Sequence, residues 1–207
     1  MPDTSAVLIV VDVQNSFMPG GGLAVPRGDE VVPIINALAK RFANVVITQD
    51  WHPPSHRSFA SSHREKKPFD VVNLAYGEQV LWPDHCVQGT SGAALHAELD
   101  IAHAQLVIRK GYQREVDSYS AFIEADGTTR TGLAGYLRDR GIEEVYICGV
   151  ATDFCVAWTA LDARKLGFAA TVIEDATRAI DLEGSLARAW EKMESAGVRR
   201  ARAADIV

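Results

Sequence analysis

Five short runs rich in Val and Ile, at residues 6–13, 45–48, 106–109, 145–150 and 169–173, are separated by stretches with helical apolar spacing at residues 29–42, 131–140, 154–166 and 183–196. Apolar runs of this length suit strands covered on both faces, which is the environment of a parallel sheet between two layers of helices. Strand and helix in alternation require right-handed crossovers, so the sequence predicts a doubly wound α/β sheet, mainly parallel, with helices on both faces. A strand after Gly197 brings the expected number to about six, and the basic stretch at residues 199–202 reads as a solvated element edge.

With 207 residues, 47% of them hydrophobic, the chain can bury one substantial core, and no linker divides it, so residues 1–207 are expected to form a single domain. The cysteines, Cys86, Cys148 and Cys155, have no framework spacing, and the opening MPDTSAVLIVVDVQ lacks the basic region and cleavage site of a signal peptide. A reduced, cytoplasmic chain is expected. No apolar run approaches the ~20 residues of a membrane span. The formal net charge of −6 argues against a nucleic-acid footprint, which leaves a small molecule as the expected partner. Residues 51–95 break the alternation with Pro, His, Ser and Gly, and a long irregular segment in a compact domain is more often functional than idle.

In an open parallel sheet, ligands bind beyond the carboxyl ends of the strands, near the point where strand order reverses. Asp12, Asp50 and Lys110 close three of the apolar runs, and Cys155 follows a fourth in EVYICGVATDFCV, residues 144–156. Each has a plain structural explanation, as a cap, a turn former or a small buried hydrophobe. Together they make a coherent chemistry. A helix start, with Thr152 or Asp153 as cap, favours a thiolate at Cys155, although the Asp153 carboxylate opposes it. Lys110 offsets that opposition and holds Asp12 ionised. Asp12 can then act as general base toward the thiol and as general acid toward a leaving amine, with the Ala151 and Cys155 N–H groups facing an oxyanion.

A second constellation is Asp50 and His52 in DWH, with His85 in WPDHC. One carboxylate and two imidazoles suit a divalent transition metal with open positions. Packing or loop capping by the same histidines is the alternative. His56 and Ser58 in PPSHRSF are candidates for a fourth contact and Cys86 is a weaker one, whereas His63, His96 and His103 read as surface residues.

These residues fall in ordered motifs: DVQNSF, TQDWHPPSHRSFA, WPDHCVQGT, RKG, DSYSAF and GVATDFCV. Taken together they resemble the successive signatures of nicotinamidases within the isochorismatase-like cysteine hydrolases, over residues 6 to about 175. The resemblance implies a triad of Asp12 as proton acceptor, Lys110 as ion-pairing member and Cys155 as nucleophile. It further implies a metal held by Asp50, His52 and His85, zinc first with iron or manganese as alternatives, whose open positions take water and the substrate's pyridine nitrogen. A cis peptide between Val150 and Ala151 would turn the Ala151 N–H into the oxyanion hole, and Phe17, Trp82 and Tyr119 would wall the ring pocket, though Phe17 and Tyr119 also suit plain core packing. The implied reaction is hydrolysis of nicotinamide to nicotinate and ammonia in NAD salvage, with pyrazinamide as a further substrate, in an enzyme that is often oligomeric. A metal-independent amidase of the same family acting on a carbamoyl or ureido group is the rival, and a nucleotide-binding scaffold is disfavoured because DVQNSFMPGGG places its glycines too late after the first strand.

Overall fold

The computed structural model describes residues 4–206. Six strands form one sheet: β1 Ala6–Val11, β2 Val45–Asp50, β5 Leu106–Lys110, β6 Glu144–Val150, β7 Ala169–Arg178 and β8 Arg199–Ala201. Their order is β5-β2-β1-β6-β7-β8, and every pairing is parallel. The chain winds outward from β1 through β2 and β5 on one side and from β6 to β8 on the other. Strand order therefore reverses between β1 and β6, and the carboxyl ends of these two strands open a crevice.

The period-two geometry of β1 divides the core. Ala6, Leu8 and Val10 face one side, with Val31, Ile35 and Leu38 of α1 (Val31–Ala39). Val7, Ile9 and Val11 face the other, with Leu133 and Leu137 of α2 (Leu133–Asp139), Ala160 of α3 (Ala157–Lys165) and Met193 of α4 (Ser185–Ser195). Leu8, Ile9 and Val10 have no measurable exposure, and burying each of these side chains contributes about 1.5–3 kcal/mol. Gly149 has φ +109°, and a Cβ there would overlap the backbone of Val11, so β6 and β1 approach this closely only because that position lacks a side chain.

The structure differs from four of these expectations in detail. The helix expected over residues 154–166 is α3, Ala157–Lys165, preceded by one π turn, Thr152–Val156. Neither Thr152 nor Asp153 caps it through a side chain, because the Asp153 carboxylate instead accepts from Ile180 N (3.1 Å), Asp181 N (2.8 Å) and the Ser185 hydroxyl. The irregular segment contains an antiparallel hairpin, β3 Val71–Leu74 and β4 Gly77–Val80. With Val71 exposed, the hairpin has no clean buried face and so left no alternating signal. Strand β7 runs to Arg178 rather than ending near residue 173, past a register irregularity opposite Ile147 and Gly149, and this delivers Ile180 to the crevice.

Candidate active site

Residues from four strand ends meet at the switch point. Asp12 follows β1 in a left-handed conformation (φ 49°), with its N–H donating to Thr48 Oγ1 (3.1 Å) and its Oδ1 accepting from that hydroxyl (2.6 Å). Gln14 staples β1 to β2: its side-chain amide donates to Asp50 O and accepts from Asp50 N, both at 2.8 Å. Lys110, wholly buried at the end of β5, is the hub of the cluster. Its Nζ lies 2.9 Å from Asp12 Oδ2, 2.5 Å from Asp50 Oδ1, 3.5 Å from Cys155 Sγ and 2.9 Å from Ser118 O. The contact with Asp12 Oδ2 is an ion pair without hydrogen-bond alignment, so that oxygen has no hydrogen-bond partner. Ligand atoms of Asp12, Asp50 and Cys155 lie within 4.8 Å of one another.

The charge balance at Cys155 differs from the sequence expectation. Burial pushes its thiol well above the ordinary value, and the Asp12 and Asp50 carboxylates push the same way, against Lys110. The resting group is a thiol. Asp153, turned toward residues 180–185, is not among the opposing carboxylates. Burial also raises Asp12, Lys110 draws it down and Asp50 raises it again, leaving it a stronger base than a free carboxylate. For Lys110, burial opposes the charge, but Asp12 and Asp50 outweigh it and hold the ammonium firmly protonated.

The second group lies beside the first. His52 Nε2 is 3.5 Å from Asp50 Oδ2, and His85 Nε2 is 3.8 Å from the same oxygen. The irregular segment brings His85 here by folding back on His52, through His52 N to Cys86 O (3.0 Å) and Gln88 N to His52 O (2.9 Å). Backbone carbonyls set both ring orientations: His52 Nδ1 meets Gly111 O and His85 Nδ1 meets Pro83 O, each at 2.8 Å. A carbonyl can only accept, so each Nδ1 carries the proton and each Nε2 offers a lone pair toward Asp50. His52 Nε2 is buried without a hydrogen-bond partner. Burial, then His52, lowers His85 to about 4 and keeps that ring neutral; at His52 burial also lowers, but Asp50 outweighs it and raises the ring. A buried carboxylate and two imidazoles with ligand atoms within 4.8 Å of one another, one of them with an unpartnered Nε2, fit a divalent metal of the borderline class that includes zinc.

His56 and Ser58 stand outside this cluster. His56 Nδ1 pairs with Ser58 Oγ (2.7 Å) and its Nε2 with Gln113 O (2.9 Å), so both ring nitrogens are engaged. Cys86 is likewise not part of the Asp50, His52 and His85 group. His63 and His96 are half-buried and His103 is exposed, in keeping with a surface reading.

A narrow cavity of about 20 Å³ opens onto Cys155, Asp50 and His85 and is walled by Phe17, Trp82 and Tyr119, with Ala151 on its border. The peptide between Val150 and Ala151 is cis. Tyr119 is fixed by bonds to its hydroxyl from Trp82 Nε1 (3.0 Å) and Gln79 Nε2 (2.9 Å). The sequence reading did not find the further wall residues Phe154, Ile180, Leu23 and Asp117, nor the supports Gln14, Thr48, Ser118 and Gln79. Phe154 and Asp117 fall within the GVATDFCV and DSYSAF motifs, and Gln14 within DVQNSF, so proximity to a motif was the available signal. Ile180 and Leu23 had none.

Residues 6–205 match the isochorismatase domain family. The nicotinamidase of Acinetobacter baylyi is 61% identical over 196 residues, covering 95% of this chain and 92% of that protein. Among solved structures, a nicotinamidase/pyrazinamidase of Acinetobacter baumanii superposes with a TM-score of 0.99 at 57% identity over 100% of both chains. The pyrazinamidase of Pyrococcus horikoshii, solved in complex with zinc, superposes at 0.78 and 39% identity, covering 96% of this chain and 99% of that one. The chain belongs to the isochorismatase family, in the part of it that the nicotinamidases occupy.

Proposed function

We propose that this chain hydrolyses nicotinamide to nicotinate and ammonia through a Cys155 thioester, with pyrazinamide as a further substrate, in NAD salvage. The observation that carries the reading is the placement of Cys155 Sγ, Asp50 and His85 on one aromatic-walled cavity, with Lys110 Nζ 3.5 Å from the sulfur. Asp50, His52 and His85 would hold a divalent metal, zinc by analogy with the zinc-bound pyrazinamidase. Such an ion supplies Lewis acidity, and with it an anchor for a ring nitrogen.

The chain's own residues account for the proton and acyl transfers. Asp12 Oδ2 takes the thiol proton as Cys155 Sγ attacks the carboxamide carbon, since the buried sulfur does not ionise unaided. Lys110 keeps net charge near neutral while the proton moves between the two acids. The Ala151 and Cys155 N–H groups receive the oxyanion of the tetrahedral intermediate. Asp12 then returns the proton to the amine, the C–N bond breaks and ammonia leaves. Water attacks the thioester carbonyl with Asp12 again as base, releasing nicotinate and restoring the thiol. Phe17, Trp82 and Tyr119 hold the ring so that the carbonyl reaches Cys155 in a reactive orientation.

Among the described residues, no helix is long and apolar enough to cross a membrane. Three buried, unpaired cysteines suit a reducing cytoplasm. The test is ammonia release from nicotinamide by the native protein, by Cys155→Ala and after chelation. Release is expected from the native enzyme, is lost in the variant while substrate still binds, and is lost on chelation and regained with zinc. No release from metal-replete native protein would overturn the reading.

A further inference from the structure

A second cavity, of about 330 Å³, shares Tyr119 with the catalytic one and is bordered by Tyr76, Glu78, Glu124, Trp158, Asp162 and Lys165. Glu124 is the anomaly in it. Its side chain is only 2% exposed, yet Oε2 is buried with no hydrogen-bond partner. A carboxylate in that position normally has a cation or a set of donors. The nearest basic group on the border does not serve: Lys165 Nζ is 2.9 Å from Asp162 Oδ1 and is committed there. Burial first, then the Asp126 and Asp117 carboxylates, push Glu124 up to about 7, as expected of an acid without a partner.

Part of the wall is aromatic. Trp158 is 45% exposed although it sits on α3, and its ring stacks on Tyr119 at 6.1 Å with 27° between planes. Three carboxylates, one lysine and an exposed indole face together select positive charge on a flat body, because a ring face and a carboxylate both attract a cation.

We propose that this cavity is a binding site for a small, flat organic cation of the N-alkylpyridinium class, with Glu124 as counter-ion and Trp158 as the stacking wall. The site is separate from catalysis: a quaternised ring nitrogen has no lone pair for a metal, so such a ligand does not compete for the anchoring position at Asp50, His52 and His85.

Calorimetric titration of the intact protein with N-methylpyridinium chloride tests it, with toluene as the uncharged molecule of the same shape and ammonium chloride as the cation without a ring. Saturable one-to-one binding is expected, weakened about tenfold or more in Glu124→Gln and several-fold in Trp158→Leu, with no saturation by toluene. The Trp158 position is exposed, so that variant still decides the matter if Glu124→Gln fails to fold. Absence of saturation, or binding that neither substitution weakens, overturns the proposal. Ammonium saturating at the same concentration also overturns it, because the aromatic wall would then contribute nothing.

Discussion

Lys110 donates to Asp50 at 2.5 Å and so joins the nucleophile's ion pair to the imidazole cluster through one carboxylate. Asp50 turns Oδ1 to the ammonium and Oδ2 to His52 and His85. The two motifs of the sequence are thus one electrostatic unit, and a change at the lysine reaches both halves.

Lys110→Met keeps most of the volume but leaves Asp12 and Asp50 facing each other in a buried site. Removing one member of a buried charge set costs about 3–5 kcal/mol. Denaturant unfolding should show a loss of that order, and ammonia release should vanish even where the variant remains folded.

Gly111→Ala tests how His52 is oriented. Gly111 has φ +64°, and a Cβ there would strike the His52 ring whose Nδ1 its carbonyl holds. A loss of about 1–3 kcal/mol is expected from the backbone strain alone. Elemental analysis of the purified variant should show reduced metal, whereas full metal content would mean that the Gly111 carbonyl does not set the ring.

Asp153→Ala removes the acceptor that ties the Cys155 turn to Ile180, Asp181 and Ser185. Two backbone donors lose their partner, at about 1–3 kcal/mol for each one left buried. Because Ile180 walls the catalytic cavity, KM for nicotinamide should rise together with the fall in Tm. A Tm change with unaltered KM would confine Asp153 to stability.

The pH dependence follows from Asp12. Burial, opposed by Lys110 and reinforced by Asp50, raises its pKa above the ordinary value of 3.8, and the carboxylate form is the base. As pH falls through that raised value Asp12 gains a proton and kcat/KM should decline, so the acid limb should lie above the range of a free aspartate. A limb at or below pH 3.8 would contradict this assignment of the base.

Removing the ring nitrogen from the substrate tests the anchor. Benzamide should show a kcat/KM at least about a hundredfold below nicotinamide, since orientation is lost with the ligand atom. Comparable turnover would favour a metal-independent amidase.

The sheet was legible because its signals are local. Residues 6–11 are apolar on both faces, so burial on both sides followed from composition alone, and Asp12, Asp50, Lys110 and Cys155 could be placed at strand ends by counting along four separate runs. Spacing only suggested that His85 joins Asp50 and His52, and the resemblance to nicotinamidases then implied a shared role for the three. Tertiary structure decided what depends on distant partners. Asp153 looked like a helix cap and is a clamp on residues 180–185, because those donors lie some 30 residues away in sequence. His56 and Ser58 bond each other, and the carbonyls of Gln113 and Val116 meet the remaining ring nitrogen, while His56 also lies within ligand range of His52 and Asp117, a grouping that only the folded chain brings together. Cys155 looked poised to ionise, yet burial beside two carboxylates outweighs Lys110 and keeps the proton on sulfur. Local pattern encodes which residues reach the sheet edge, whereas their protonation and orientation depend on desolvation and on hydrogen bonds that exist only once separate segments are packed together.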